Sequence, residues 1–189
     1  MAMYIFQELA PKIFYFTYSL QEPELYVKFL EESESDSSNK KIIKPWQQMH
    51  GDKQEVNYGY DKIISSDFTR DDDVDGRSLY LVNTLKATML HCFGQYKIYN
   101  NIEEDVNIGK TFWVKKYNER YSHTEVGSGK YTAYFYLNDD YDGGNLSFSN
   151  TKAFVKPEKG SIIIAPSDQE YISSPSLNGI RYVAQGYWL

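Results

Sequence analysis

A histidine and a glutamate stand two residues apart, at His123 and Glu125, just before the strand-like run YTAYFYLN. In an extended chain, residues i and i+2 point to the same side, so these two side chains can face one cavity. An imidazole and a carboxylate placed in this way supply two of the three ligands of a facial triad for non-haem iron(II). A solvated pair beside a turn is the alternative, because a His-x-Glu triplet also arises by chance.

The elements that must position this pair are predicted to be mainly β-strands. From residue 111 onward, short apolar runs alternate with turn signals, and no helical pattern lies between them. The runs are FWVKKY, YTAYFYLN, NLSFS, AFVK, SIIIAPS and RYVAQGYWL. Several short strands at this spacing are typical of a sandwich or jelly roll. Gly143 and Gly144 are predicted to form one of the turns, with positive φ and no chemical role.

The first half of the chain has a mixed character. Residues 12–19 alternate weakly and predict a strand. A helix is predicted to begin near Pro23, which suits a first helical turn, and to end near Glu32. Apolar residues spaced for one helix face predict a second helix from about Gly76 to about Gly94.

Length and charge limit the classes of function. The 189 residues predict one domain over 1–189, with N-terminal strands and supporting helices in 1–100 and a jelly-roll core in 101–189. A net charge of −6 disfavours nucleic acid as a partner, because nucleic-acid binding relies on clustered positive charge. No stretch has the roughly 18 apolar residues of a membrane helix. The N-terminus lacks the basic start of a signal peptide, so a protein of the cell interior is expected.

An acidic run before the second helix resembles the start of a calcium loop. Asp71, Asp73, Asp75 and Gly76 occupy the first, third, fifth and sixth positions of the EF-hand pattern. The twelfth position is Val82, which cannot supply the bidentate carboxylate. A solvated turn is therefore predicted instead of a calcium site.

The run from Tyr117 to Leu189 resembles the C-terminal half of the iron(II)- and 2-oxoglutarate-dependent oxygenases of the prolyl-4-hydroxylase type. The matching pieces are KYNERYSHTEV, YTAYFYLNDDYDGGNLSF, VKPEKGSIIIAPS and PSLNGIRYVAQGYW. The segment IFYFTYSLQEPELYVKFLEES is similar to the family's opening strand and helix, whereas residues 34–110 match less clearly. The resemblance implies a double-stranded β-helix supported by N-terminal helices, with iron(II) and 2-oxoglutarate as cofactors of an active member.

The resemblance also implies roles for residues of the second half. Arg181 stands where the family keeps a basic residue for the distal carboxylate of 2-oxoglutarate, and its planar fork suits a bidentate contact. Tyr136 matches a strand tyrosine that donates to the same carboxylate. Thr132 and Tyr134 lie on the same strand face and would line the cavity.

The metal ligands match only in part. His123 stands at the first ligand position, and Glu125 stands where most members have aspartate. The second histidine of the family lies ten residues before the basic residue, and that position is Tyr171. A neutral phenol with a pKa near 10 is a poor ligand for ferrous iron at neutral pH. His50 and His91 remain as donors that could come from elsewhere in the chain.

Two functions of different classes follow. The favoured one is a degenerate oxygenase fold, a pseudoenzyme without bound cofactor that serves as a binding or structural module. The resemblance implies a protein partner for it, in a bacteriophage particle or the host cytoplasm, and no membrane or nucleic-acid partner is expected. The alternative is an active dioxygenase that hydroxylates a protein or small-molecule C–H bond. A cupin-like binder of another metal or ligand is a third class. In the family, substrate choice lies in the segments that correspond to residues 34–75.

Overall fold

A computed structural model describes residues 6–17, 19–32, 47–48, 59–65, 76–120, 123–125, 127–149 and 151–189. The two helices are α1, Pro23–Glu32, and α2, Gly76–Asn100. The strands of the first half are β1, Phe6–Ala10; β2, Ile13–Phe16; β3, Gln47–Gln48; and β4, Gly59–Ser65. The strands of the second half are β5, Thr111–Tyr117; β6, His123–Glu125; β7, Tyr131–Tyr136; β8, Leu146–Phe148; β9, Phe154–Val155; β10, Ile162–Pro166; β11, Tyr171–Ser173; and β12, Arg181–Trp188.

The strands form two antiparallel sheets. The large sheet has the order β1-β2-β10-β7-β12-β5-β4-β3, and the small sheet has the order β6-β11-β8-β9. The eight strands of the second half divide equally between the sheets, and the chain crosses from one sheet to the other as it proceeds. This is the predicted double-stranded β-helix. Strands of the first half extend the large sheet at both edges.

Both faces of the large sheet are buried, which explains its long apolar runs. One face packs on the small sheet through the inter-sheet cluster, which consists of Ile13, Tyr15, Tyr117, Tyr134, Tyr136, Leu146, Phe148, Ala153, Ile163, Ala165, Tyr171 and Val183. The other face packs on the helices through the helix-side cluster, which includes Phe14, Tyr26, Leu30, Leu85, Met89, Phe93, Phe112, Phe135, Ile164, Ala184 and Trp188. Because successive side chains of a strand point to opposite faces, one strand supplies both clusters.

The helices follow most of the predicted signals. Helix α1 starts at Pro23 and buries Tyr26, Phe29 and Leu30, which are spaced for one face. Helix α2 does not stop at Gly94 as predicted but continues to Asn100. A single exposed glycine costs a helix only about 1 kcal/mol, which the packing of the helix-side cluster outweighs.

The true end of α2 is a left-handed cap. Asn101 has a φ of 53°, and the amide of Ile102 donates to the carbonyl of Lys97 at 3.0 Å. This is the Schellman pattern, in which asparagine can replace the usual glycine.

The six apolar runs of the second half are confirmed as β5, β7, β8, β9, β10 and β12, and the run over 12–19 contains β2. Strands β3, β4 and β11 were not predicted, and the residues of β6 were expected only to be extended. The acidic run over 71–75 lies outside the described residues, as does most of the segment over 34–75. Within the described ranges, neither helix is long and apolar enough to cross a bilayer.

Two glycines should respond oppositely to alanine. At Gly129, φ is 73° and a Cβ would collide with the backbone carbonyl of Trp188, so Gly129→Ala should lower the free energy of unfolding by about 2–4 kcal/mol. At Gly94 a Cβ meets nothing within 4 Å, so Gly94→Ala should raise it by about 0.5–1 kcal/mol. Urea unfolding followed by circular dichroism measures both, and a stabilised Gly129→Ala protein would contradict the turn geometry.

Candidate functional site

The register of the small sheet places the predicted metal-ligand positions on its inner face. In the β6–β11 ladder, Glu125 pairs with Tyr171 and His123 pairs with Ser173. Residues directly opposite each other in an antiparallel pair share a face of the sheet. Tyr171 and Ser173 are buried, whereas Ile172 between them is 40% exposed. Positions 123, 125, 171 and 173 therefore lie on the face that is turned toward the large sheet.

Tyr171 packs among aromatic rings. Its ring centroid lies 4.6 Å from that of Tyr134 in an edge-on arrangement and 6.4 Å from that of Phe148. The position where the resemblance implies a second histidine thus holds a phenol inside the inter-sheet cluster. A neutral phenol is a poor donor to ferrous iron. The residues at these positions therefore do not fit the iron(II) centre that the resemblance implies.

Of the other two histidines, the one that the structure describes does not complete this set. His91 lies on α2 with an exposed side chain. Helix α2 packs on the helix-side cluster, so the large sheet separates His91 from the inner face of the small sheet. His50 lies outside the described residues.

Arg181 begins β12 and is only 1% exposed. It shares a strand face with Val183, a member of the inter-sheet cluster. Its Nη1 donates to the carbonyl oxygens of Gly144 at 3.0 Å and Ser174 at 3.4 Å. The guanidinium carbon lies 4.5 Å from the ring centroid of Tyr117, within the range of a cation–π contact. The position of Arg181 at the start of β12 and its contact with the Tyr117 ring thus hold the guanidinium between the two sheets.

One edge of this guanidinium has no acceptor. Nε and Nη2 are buried, and neither has a hydrogen-bond partner within the described part of the chain. Two donors on one edge of a planar fork match the two oxygens of a carboxylate. Burying an ion costs several kcal/mol unless it is paired and hydrogen-bonded. Arg181 therefore fits a ligand carboxylate, such as the distal carboxylate of 2-oxoglutarate.

The other predicted binding residues lie on the same face of the large sheet as Arg181. Tyr136 pairs with Val183 in the β12–β7 ladder and belongs to the inter-sheet cluster, as Tyr134 does. Thr132 lies on the same strand face, with its hydroxyl 2.8 Å from the hydroxyl of Ser167. Arg181, Tyr134 and Tyr136 thus lie on one face of the large sheet. The hydroxyl of Thr132, on the same strand as the two tyrosines, is hydrogen-bonded to that of Ser167.

The roles of two residues of the site, Gly144 and Tyr141, were missed by the sequence analysis. Gly143 and Gly144 have the predicted positive φ, at 69° and 66°. Gly144 has a further role, because a Cβ there would lie 2.5 Å from Cε2 of Tyr141 and 3.1 Å from Nη1 of Arg181. The missing Cβ allows the phenol and the guanidinium to come together. The sequence contains no pattern that distinguishes this glycine from its neighbour.

Tyr141 is 4% exposed, and its hydroxyl has no hydrogen-bond partner in the described residues. Burial raises the pKa of Tyr141 to about 12, against the opposing effect of the Arg181 charge. The phenol therefore stays protonated at neutral pH and retains a proton to donate.

Solved structures match the chain over most of its length. A viral collagen prolyl hydroxylase from Paramecium Bursaria Chlorella virus-1, solved with 2OG, has a TM-score of 0.57 and 13% identity over 94% of each chain. A prolyl-4-hydroxylase from Pseudomonas putida has a TM-score of 0.54 and 13% identity, over 98% of this chain and 91% of that one. A 2OG-Fe(II) oxygenase family oxidoreductase from Burkholderia pseudomallei has a TM-score of 0.58 and 12% identity, over 84% of this chain and 78% of that one.

The chain has the fold of the 2OG-Fe(II) oxygenases. At these identities the likeness establishes the oxygenase fold and not the activity. No protein-family model and no curated protein matches the chain. Within the oxygenase fold, the two ends of the candidate site differ. Where the resemblance implies a bound carboxylate, the buried Arg181 has two donors without an acceptor in the described residues. Where it implies a metal ligand, Tyr171 has a phenol in place of an imidazole.

Proposed function

We propose that this protein is a degenerate oxygenase-fold binding module that holds a small carboxylate between its sheets without a catalytic iron. The observation that carries the proposal is the buried edge of Arg181, whose Nε and Nη2 have no acceptor in the described residues. The two acceptors of Nη1 are neutral carbonyl oxygens. A bound carboxylate would supply both the countercharge and the missing acceptors.

The surroundings of Arg181 favour a small ligand with an apolar chain. Tyrosines provide five of the twelve members of the inter-sheet cluster, and tyrosine rings offer apolar faces for such a chain. A short dicarboxylate, such as 2-oxoglutarate or glutarate, has one carboxylate for Arg181 and a chain that can lie along these rings. Because Tyr171 replaces the second imidazole, the 2-oxo group of the ligand would have no complete metal centre to chelate.

Anaerobic calorimetric titration tests this proposal. We expect 2-oxoglutarate and glutarate to bind with dissociation constants below about 1 mM, which corresponds to a binding free energy of about 4 kcal/mol. Their affinities should agree within about threefold and should not change when iron(II) is added, since no chelate contributes. The dimethyl ester of glutarate is the matched ligand control and should not bind. Absence of binding by either diacid would refute the proposal.

An active dioxygenase is the second candidate. It is favoured by the register of β6, which puts positions 123 and 125 on the inner face beside Tyr171. The same titration separates the two functions. Iron(II) that binds to the wild type and raises its affinity for 2-oxoglutarate more than tenfold over its affinity for glutarate would favour the active enzyme. Oxygen-dependent consumption of 2-oxoglutarate would then confirm turnover.

The setting is a further part of the proposal. A protein partner, in a bacteriophage particle or the host cytoplasm, is supported by the resemblance to small members of the family. The abundance of tyrosine, with 18 residues, also suits a contact module, because tyrosine is enriched at interfaces.

A further inference from the structure

Two buried side chains that flank Gly144 each carry a donor group without an acceptor in the described residues. One is the edge of Arg181 formed by Nε and Nη2, and the other is the hydroxyl of Tyr141. Both side chains are more than nine-tenths buried. A buried donor without an acceptor is costly, and two such groups at one place indicate a shared missing acceptor.

The phenol and the guanidinium are neighbours. The position of a Cβ at Gly144 lies 2.5 Å from the ring of Tyr141 and 3.1 Å from Nη1 of Arg181. The two groups also influence each other electrostatically, since the positive charge of Arg181 favours the ionised form of the phenol. The ring of Tyr141 and the guanidinium thus lie against the same glycine.

The backbone holds Tyr141 in this place. Gly179 has a φ of 83°, and a Cβ there would lie 3.3 Å from the Cβ of Tyr141. The amide of Asp142 donates to the carbonyl of Asn178 at 3.2 Å, and the amide of Leu177 donates to the carbonyl of Asp142 at 2.8 Å. The turn that carries the phenol is thus bonded to the turn that precedes Arg181. Such fixed donors lose little freedom when a ligand binds.

We propose that the Tyr141 hydroxyl donates a hydrogen bond to the carboxylate that Arg181 holds, so that the phenol is a second anchor of the anion site. This inference rests on the proposed function. The ligand class is a terminal carboxylate, because that group accepts from both donors and offers no proton that would oppose them. Burial keeps the phenol protonated at neutral pH, with a pKa of about 12, so the donor is present throughout the physiological range.

Tyr141→Phe tests this role because it removes the hydroxyl and keeps the ring. We expect the affinity for glutarate, measured by calorimetry, to fall about 10- to 100-fold, the range for losing one hydrogen bond to a charged group. The melting temperature of the ligand-free variant should equal or exceed that of the wild type, since the hydroxyl has no partner in the described residues. Tyr26→Phe, in the helix-side cluster, is the matched control and should bind glutarate like the wild type.

The outcomes separate the two proposals. A Tyr141→Phe protein that binds glutarate within threefold of the wild type would overturn the anchor role and leave the carboxylate site intact. A lowered melting temperature of the ligand-free variant would also overturn it, because the hydroxyl would then have an internal partner. A wild type that binds neither glutarate nor 2-oxoglutarate would overturn the proposed function together with this inference.

Discussion

Arg181→Met should strongly weaken carboxylate binding and leave the ligand-free protein at least as stable as the wild type. The wild-type guanidinium is buried with a vacant edge, so it carries a desolvation cost that its bonds to two carbonyl oxygens and its contact with Tyr117 only partly offset. Methionine fills a similar volume without a charge. Replacing buried ionic groups by apolar ones of similar volume is often neutral or stabilising by about 1–4 kcal/mol.

Although the stability of the ligand-free Arg181→Met protein should be kept or raised, its affinity for a carboxylate should fall. Removing one partner of a buried, hydrogen-bonded charge pair costs about 2–5 kcal/mol, so the affinity for glutarate should fall at least 30-fold. Calorimetry measures this loss, and urea unfolding without ligand measures stability. Arg181→Lys is the matched control, because it retains the charge but not the bidentate edge and should bind with intermediate affinity. An Arg181→Met protein that is several kcal/mol less stable would show that the guanidinium is a structural group.

Tyr171→His should create an iron(II) site. The register places position 171 directly opposite Glu125, on the same inner face as His123. An imidazole there would supply the second nitrogen ligand of a facial triad. The affinity for iron(II), titrated without oxygen, should rise more than about 100-fold, since losing even an outer-shell partner costs a metal site 10- to 100-fold. The metal-free variant should unfold about 1–3 kcal/mol more easily, because Tyr171 is 3% exposed and packed between rings.

Ile172→His is the matched control for this gain. Ile172 is the next residue of the same strand and is 40% exposed, on the outer face of the small sheet. A histidine there adds the same donor to the same strand but faces away from Glu125, so iron(II) affinity should stay at the wild-type level. Equal gains in both variants would show that the metal binds elsewhere. A wild type that already binds iron(II) as tightly as Tyr171→His would favour the active dioxygenase.

The second-half strands of the large sheet were predictable from sequence because both faces of that sheet are buried. Burial on both sides requires continuous apolar runs, such as SIIIAPS around β10, and these runs are visible without knowledge of the partner strands. Strand β11 is only Tyr171–Ser173, and it exists because it pairs with β6 and β8. A pattern over three residues cannot show a strand whose pairing is entirely non-local.

The candidate site was predictable where chemistry depends on residue type. Arg181 and Tyr136 follow from the family resemblance, and both lie on the face of the large sheet that is turned toward the small sheet. Tyr141 could not be recognised, because its significance is a hydroxyl without a partner, which is a property of the packed structure. The predicted end of α2 was wrong for a related reason. Gly94 is a local stop signal, but packing along the helix decided the length of α2.

The large sheet divides the protein into two compartments with separate tasks. The helix-side compartment contains most of the apolar anchors, including the stacked pair of Phe93 and Trp188 at 4.2 Å. The other compartment contains five tyrosines of the inter-sheet cluster and the buried arginine. A substitution that alters chemistry in the second compartment therefore leaves the anchors of the first in place. Such a scaffold can exchange one reactivity for another, or lose it, while its architecture persists.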